Sequence, residues 1–186
     1  CLIPARLWAH GGKRSYFLTA EMDIRQLVTR LVWMEAGVNS MNIEMGGLSD
    51  PEERRVMTAI GVLAPLPIRF AQAAGWTVAR VESNVRRQQA TWPPDAVIVD
   101  YVQLLAGGIK AESRAQEMSY ISRELNKLAR SANLPLVMVS QLNRKADERG
   151  RPQPSDLKES GSLEQDADRV VFLHGDRHKA ERQRRA

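Results

Sequence analysis

The run Ala96-Val97-Ile98-Val99, closed by Asp100, constrains this chain more than any other four residues. Four consecutive apolar side chains, three of them on β-favouring residues, fit a strand buried on both faces. A strand of that kind needs a sheet covered by helices on each side, and the rest of the chain supplies both. Leu2 to His10 reads as the end of a helix stopped by Gly11 and Gly12. Ser15 to Thr19 is a short strand. Ile24, Leu27, Val28, Leu31 and Val32 have helical spacing within Asp23 to Ala36. Ser49 with Glu52 forms a capping box, Pro51 suits the first turn, and the helix it opens runs to about Ala64. Pro67 to Phe70 is a weak strand. Thr77 starts a helix through Val81 and Val85 to about Thr91, broken by Pro93 and Pro94. A second box, Ser113 with Gln116, opens a helix with Met118, Ile121, Leu125, Leu128 and Ala132 on one face. Leu136 to Val139 and Val170 to Leu173 read as two further buried strands, separated by a polar loop over 143–162. Alternating strands and helices predict an α/β fold with a mostly parallel sheet flanked by helices.

Composition narrows the classes. No apolar run approaches the roughly 18 residues that cross a bilayer, and nothing at the start reads as a signal peptide. One cysteine, Cys1, excludes an intrachain disulfide. His10, His174 and His178 lack metal-binding spacing with it, and Ser83 and Ser140 lie in no GxSxG setting. The 27 Lys and Arg against 22 Asp and Glu leave a net charge of +5, which admits a nucleotide or nucleic acid partner without requiring one. Much of that charge falls in the tail after His174, where five cationic side chains, Arg177 among them, face two acidic ones. The tail reads as solvated. Trp8, Trp33, Trp76 and Trp92 read as packing residues. Arg80, Arg86 and Arg87 share a helix face, read as solvated before it is read as a ring interface or DNA contact.

In parallel sheets ligands meet the carboxyl ends of the strands. The first strand runs into Ala20-Glu21-Met22, the central one into Asp100-Tyr101-Val102-Gln103, and the next into Ser140-Gln141-Leu142-Asn143-Arg144. A parallel sheet puts Glu21, Asp100 and Gln141 on one edge. An Asp at a strand end can hold Mg²⁺ through water for a nucleoside triphosphate. A Glu beside it can take a proton from water, and a Gln can hydrogen-bond a γ-phosphate. Each residue also has a plain reading: Asp100 as a cap or loop residue, Glu21 as a first-turn carboxylate, Gln141 as a polar loop residue.

The segments 96–105 (AVIVDYVQLL), 136–144 (LVMVSQLNR), 155–168 (SDLKESGSLEQDAD) and 17–22 (FLTAEM) resemble, in order and spacing over about residues 2–174, the motifs of DnaB-type replicative helicases. The resemblance implies a RecA-like ATPase core, a homohexameric ring, ATP and Mg²⁺, single-stranded DNA as partner, 5′-to-3′ unwinding, and a cytoplasmic place in a bacterial or phage-infected cell. It implies that Glu21 is the general base, Asp100 the Walker B aspartate that meets Mg²⁺, and Gln141 the γ-phosphate sensor linked to the DNA loops. Asp156 to Ser162 matches the loop lining the channel, with Lys158, Glu159, Ser160 and Gly161 at DNA-gripping positions and Arg144 a further DNA contact. Lys158 stands where Arg is more usual, which keeps the charge and loses the bidentate fork. Ala20 stands where Leu is commoner and Thr19 where Ser is.

The family hydrolyses ATP with a GxxxxGK[ST] loop, and the 186 residues contain none. Gly12-Lys13 fails the pattern: Leu7 replaces the first glycine, Arg14 follows the lysine, and a helix precedes it. The loop is expected upstream of Cys1, and the chain alone is expected to bind ATP and Mg²⁺ weakly or not at all and not to turn over ATP at a family rate. The strand leading to the family's arginine finger is not matched either. The expected organisation is a partial RecA-like core over 1–174 and a poorly ordered basic tail over 175–186. A non-catalytic single-stranded-DNA-binding or ring-interacting module is the main alternative, and a RecA-like recombinase the weaker one. Loader and primase partners are not legible.

Overall fold

The computed structural model describes residues 2–39, 47–143, 152–157 and 161–173. Four strands form one parallel sheet in the order β2-β1-β3-β4. They are β1 (Ser15–Thr19), β2 (Ile68–Gln72), β3 (Ala96–Asp100) and β4 (Leu136–Met138). Parallel neighbours require crossover connections, and helices provide them: α1 (Leu2–His10), α2 (Ile24–Ala36), α3 (Asp50–Leu63), α4 (Val78–Thr91) and α5 (Arg114–Ser131), followed by the short α6 (Gly161–Asp166).

Each of the first five helices begins or ends where its sequence says. The Asp23 carboxylate accepts the Arg25 N–H at 2.7 Å and caps α2, a contact of about 1 kcal/mol. Gly37, at φ 60°, ends it in the left-handed conformation that a side chain would resist. Glu52 accepts both the N–H and the hydroxyl of Ser49, at 2.9 and 2.7 Å, at the start of α3. Thr77 caps α4 by accepting the Arg80 N–H at 3.3 Å. Before α5, Ser113 accepts the Gln116 N–H at 3.2 Å. Gln116 reaches one residue further back than a capping box requires and accepts the Glu112 N–H at 3.0 Å. Gly11 and Gly12 stop α1, as expected, with Gly12 at φ 73°.

The sheet separates two apolar layers. On one face Tyr16, Leu18, Val97 and Val99 meet Val81 and Val85 of α4 and Met118, Ile121, Leu125 and Leu128 of α5. On the other face Phe17 and Ile98 meet Leu2 and Ala5 of α1 and Leu27 and Leu31 of α2. Alternate residues of one strand therefore belong to different layers, the geometry expected of a two-sided strand. The Arg6 guanidinium and the His10 ring meet the Glu35 carboxylate at 2.5 and 3.1 Å and clamp α1 to α2.

Two readings need correction. Val170 to Leu173 forms no strand: Val171 and Leu173 are 81% and 84% exposed. Their apolar pattern suits a pleated surface, but strand formation needs a neighbouring ladder, and none meets them among the described residues. Leu136 to Val139 does pair as a strand, through Met138, but it is the outermost strand among the described residues and only half-buried. An apolar run of that kind does not distinguish a central strand from an outer one. The weak strand near Pro67 begins one residue later and continues to Gln72. Within the expected loop over 143–162, Pro154–Asp156 forms a 3-10 turn, and Leu142 bridges Leu157 in antiparallel fashion. Residues 144–151 and 158–160 of that loop and the tail over 175–186 lie outside the described residues, and α6 opens at Gly161 inside it.

Among the tryptophans, Trp76 is buried, while Trp8 and Trp92 pack half-buried on the two layers. Arg80 lies over Trp76 and Arg69 over Trp92, at 4.7 and 4.5 Å from the ring centres. Arg86 pairs with Glu82 along α4 at 2.8 Å and bonds the Ser131 hydroxyl at 3.0 Å. Arg80, Arg86 and Arg87 are exposed.

Candidate active site

β3 runs between β1 and β4, with Thr19 opposite Asp100 and Val99 opposite Met138. Glu21 follows Thr19 by two residues and Gln141 follows Met138 by three. All three candidate residues therefore leave the sheet at its carboxyl edge. Asp100 is half-buried, and Glu21 and Gln141 are exposed.

Glu21 sits in a turn that is tied on several sides. The buried Thr19 hydroxyl accepts the Met22 N–H at 3.2 Å and donates to the Met22 carbonyl at 2.7 Å. The Gln72 side chain, from the end of β2, donates to the same carbonyl at 3.2 Å. The Ala20 N–H donates to the Asp100 carbonyl at 2.8 Å and extends the β1–β3 ladder past its last register pair. Asp23 then caps α2. The turn is thus fixed before and after Glu21, and the carboxylate faces solvent.

The segment after Asp100 folds back on the sheet edge. The Asp100–Tyr101 peptide is cis. The Val102 N–H donates to the Val139 carbonyl at 3.0 Å, and the Gln103 side chain donates to the Ser140 hydroxyl at 2.7 Å. Arg114, at the start of α5, donates to the carbonyls of Gln103 and Leu105 at 2.6 and 3.3 Å. It also pairs with Glu117, which accepts the Gly107 N–H at 2.7 Å. That backbone donor, with the Arg114 guanidinium second, holds the Glu117 carboxyl below the ordinary carboxylate range.

Arg144, Lys158, Glu159 and Ser160 lie outside the described residues. Gly161 is exposed and opens α6. Asp156, just before that segment, is buried, accepts the Gln153 N–H at 2.9 Å through its side chain, and accepts the Asn143 N–H at 2.8 Å through its carbonyl. Asp166 docks α6 on α5: its carboxylate accepts the Ser122 hydroxyl, and its carbonyl the Asn126 side chain, each at 2.5 Å. A shallow pocket of about 440 Å³ lies away from all of this, at the far end of α2, lined by Glu35, Arg54, Arg55 and Thr58 among others. Its lining holds none of the strand-end residues, so its size carries no chemical weight beside the sheet edge.

Thr19, Gln72 and Gln103 were not picked out by sequence reasoning. A polar residue at a strand end leaves no local signal of the side chain it will meet. Thr19 meets Met22 three residues on, but only the strand order brings Gln72 to Met22 and Gln103 to Ser140.

The sequence model of the DnaB-like helicase C terminal domain matches residues 3–186. The chain belongs to that family. The match continues through Ala186, past residue 174 where the motif resemblance was expected to stop. Among DnaB-like relatives, the chain is 37% identical over 159 residues to the replicative DNA helicase DnaC of Bacillus subtilis and to the replicative DNA helicase DnaB of Geobacillus stearothermophilus. Each alignment covers 84% of this chain and 35% of the relative, so the chain spans about a third of the curated relatives it matches. A solved ATPase domain superposes with a TM-score of 0.87 at 32% identity, covering 97% of this chain and 66% of the other. A solved DnaB-like replicative helicase, described with its interactions with primase, superposes with a TM-score of 0.84 at 31% identity over 93% of this chain and 43% of that one. The parallel sheet flanked by helices is therefore the RecA-like arrangement of DnaB-like ATPase domains. No helix among the described residues is long and apolar enough to cross a membrane.

Proposed function

We propose that this chain is motor-domain sequence of a ring-forming replicative helicase that uses ATP to translocate on single-stranded DNA and unwind duplex in the 5′-to-3′ direction. The observation carrying this reading is the convergence of Glu21, Asp100 and Gln141 at one sheet edge in a DnaB-like domain. Glu21, exposed on a tied turn, is placed to accept a proton from water attacking a γ-phosphate. Gln141, leaving the neighbouring edge, is placed to hydrogen-bond that phosphate. Lys158 and Arg144 supply charge for DNA phosphates, and Glu159, Ser160 and Gly161 complete that grip. The ring is proposed to be a homohexamer.

Asp100 fits a Mg²⁺ ion held largely by water. Among the described residues no three His, Cys, Asp or Glu side chains cluster as a metal cage, and Mg²⁺ in nucleotide sites takes one or two carboxylates with waters and phosphate oxygens. The ion would neutralise phosphate charge; Asp100 would orient its water shell.

We further propose that the 186 residues alone have no family-rate ATPase activity, since they hold no GxxxxGK[ST] sequence. The test is a chimera in which the strand, phosphate loop and helix start of a DnaB-like relative precede Leu2. The chimera is expected to release phosphate with ATP and Mg²⁺, and Glu21→Gln or Asp100→Ala to reduce that at least a hundredfold. A chimera as active with either substitution as without it overturns the catalytic reading. Fluorescein-dT20 anisotropy tests the DNA reading: affinity should fall as salt rises, with a log–log slope equivalent to a few phosphates.

A further inference from the structure

We infer that Gln103 is a positioning residue for Gln141, setting the arm that carries it by bridging the ends of β3 and β4. This rests on the proposal that Gln141 meets the nucleotide's terminal phosphate. The β3–β4 backbone ladder ends with the Val139 N–H on the Val99 carbonyl at 2.9 Å and the Val102 N–H on the Val139 carbonyl at 3.0 Å. Past that point the Gln103 side chain takes over. Its Nε2 donates to Ser140 Oγ at 2.7 Å, and its Oε1 faces the Gln141 N–H at 3.4 Å. The amide can be oriented only this way, because a backbone N–H needs an acceptor opposite it. The Ser140 hydroxyl, accepting from Gln103, spends its own proton on the Gln141 carbonyl at 3.3 Å. Both backbone polar groups of Gln141 are therefore engaged by this one bridge.

Gln103 is itself held. Arg114 grips its carbonyl at 2.6 Å, and Arg114 is anchored by Glu117, whose carboxylate also takes the Gly107 N–H. Gln141 is thus tethered to the first turn of α5 as well as to β4. A half-buried primary amide is suited to this task. It presents a donor and an acceptor a fixed distance apart, and reads one neighbour with each.

The test uses the isotope-labelled 186-residue chain and backbone relaxation without ligand. The Gln141 amide is expected in the rigid range, with an order parameter of about 0.85, and to fall below about 0.6 in Gln103→Ala. Phe17 and Ile98 amides should keep their wild-type values. Gln103→Glu retains an oxygen for the Gln141 N–H but draws the Ser140 proton away from the Gln141 carbonyl, so it should give a value between those of Gln103→Ala and wild type. An unchanged Gln141 order parameter in Gln103→Ala overturns the inference, as does a loosening shared by Phe17 and Ile98. Titration of the phosphate-loop chimera with Mg²⁺ and the non-hydrolysable analogue AMP-PNP separates the two ideas. Shifts at Glu21, Asp100 and Gln141 are expected at millimolar ligand. Their absence, with the Gln103→Ala effect intact, overturns the nucleotide reading and leaves the bridge standing.

Discussion

The Thr19 hydroxyl engages Met22 through both of its backbone groups, accepting the N–H at 3.2 Å and donating to the carbonyl at 2.7 Å. With Thr19 only 1% exposed, water cannot readily replace it. Thr19→Val keeps the shape and removes both bonds, leaving a backbone N–H without its acceptor. The expected cost is about 1–3 kcal/mol, read as a lower urea midpoint with an unchanged slope. Thr19→Ser keeps the hydroxyl and should cost less than Val. Equal midpoints for Val and wild type would show that the turn does not depend on this hydroxyl.

Glu35 joins α1 to α2, and its carboxyl is held below its ordinary value of 4.5 chiefly by the Arg6 hydrogen bond, with His10 adding to it. A carboxylate whose folded pKa is depressed stabilises the fold above its unfolded pKa. That contribution is lost as the pH falls through the lower folded value. Thermal melts of wild type and Glu35→Gln should therefore differ most near neutrality and converge well below pH 4.5. The subtraction removes Glu117, which is depressed in both proteins. A constant gap across the acid range would contradict the ion-pair account.

Gly107 lies against the Glu117 side chain. A Cβ built there would stand 2.8 Å from Glu117 Cγ and 3.3 Å from its Oε1. Gly107→Ala must push Glu117 aside, which loosens both the Gly107 N–H bond and the Arg114 pair. A loss of about 1–3 kcal/mol is expected in chemical denaturation. Glu117→Ala should cost a similar amount, and the double variant less than the sum, since the two share one interaction.

Val171 and Leu173 expose large apolar side chains. Replacing both with Asp should leave the melting temperature within a few degrees of wild type, because nothing buried is lost. Self-association, followed by static light scattering at rising concentration, should decrease. A large drop in melting temperature would show that the segment packs where it is described as exposed.

The sequence was most legible where local chemistry decides the outcome. Ser49 and Ser113 cap the helices they were expected to cap, and Asp23 and Thr77 cap helices at their expected starts, because a cap is settled within three residues. Ala96 to Val99 is a central strand because four buried apolar residues in a row leave few other solutions. Val170 to Leu173 carries nearly the same pattern and is not a strand, since pairing is decided by a neighbour the pattern does not contain. Within the candidate site, Glu21, Asp100 and Gln141 could be named because each lies within three residues of the end of an apolar run. Gln103 could not, because its partners Ser140 and Gln141 lie almost forty positions away and become neighbours only through the β3–β4 pairing.

That pairing divides the site by stiffness. Glu21 and Asp100 ride on β1 and β3, bonded to each other over five register pairs, with β1 flanked again by β2 over five more. Gln141 hangs from a three-residue strand with three register pairs on one side. Opening free energies across a fold range from near zero to the global value, and short outer elements lie at the low end. Native-state hydrogen exchange should thus release β4 amides well before those of β1. Two members of the trio are built into the frame, and the third is the part able to yield: an arm of low opening cost set beside a fixed pair of carboxylates.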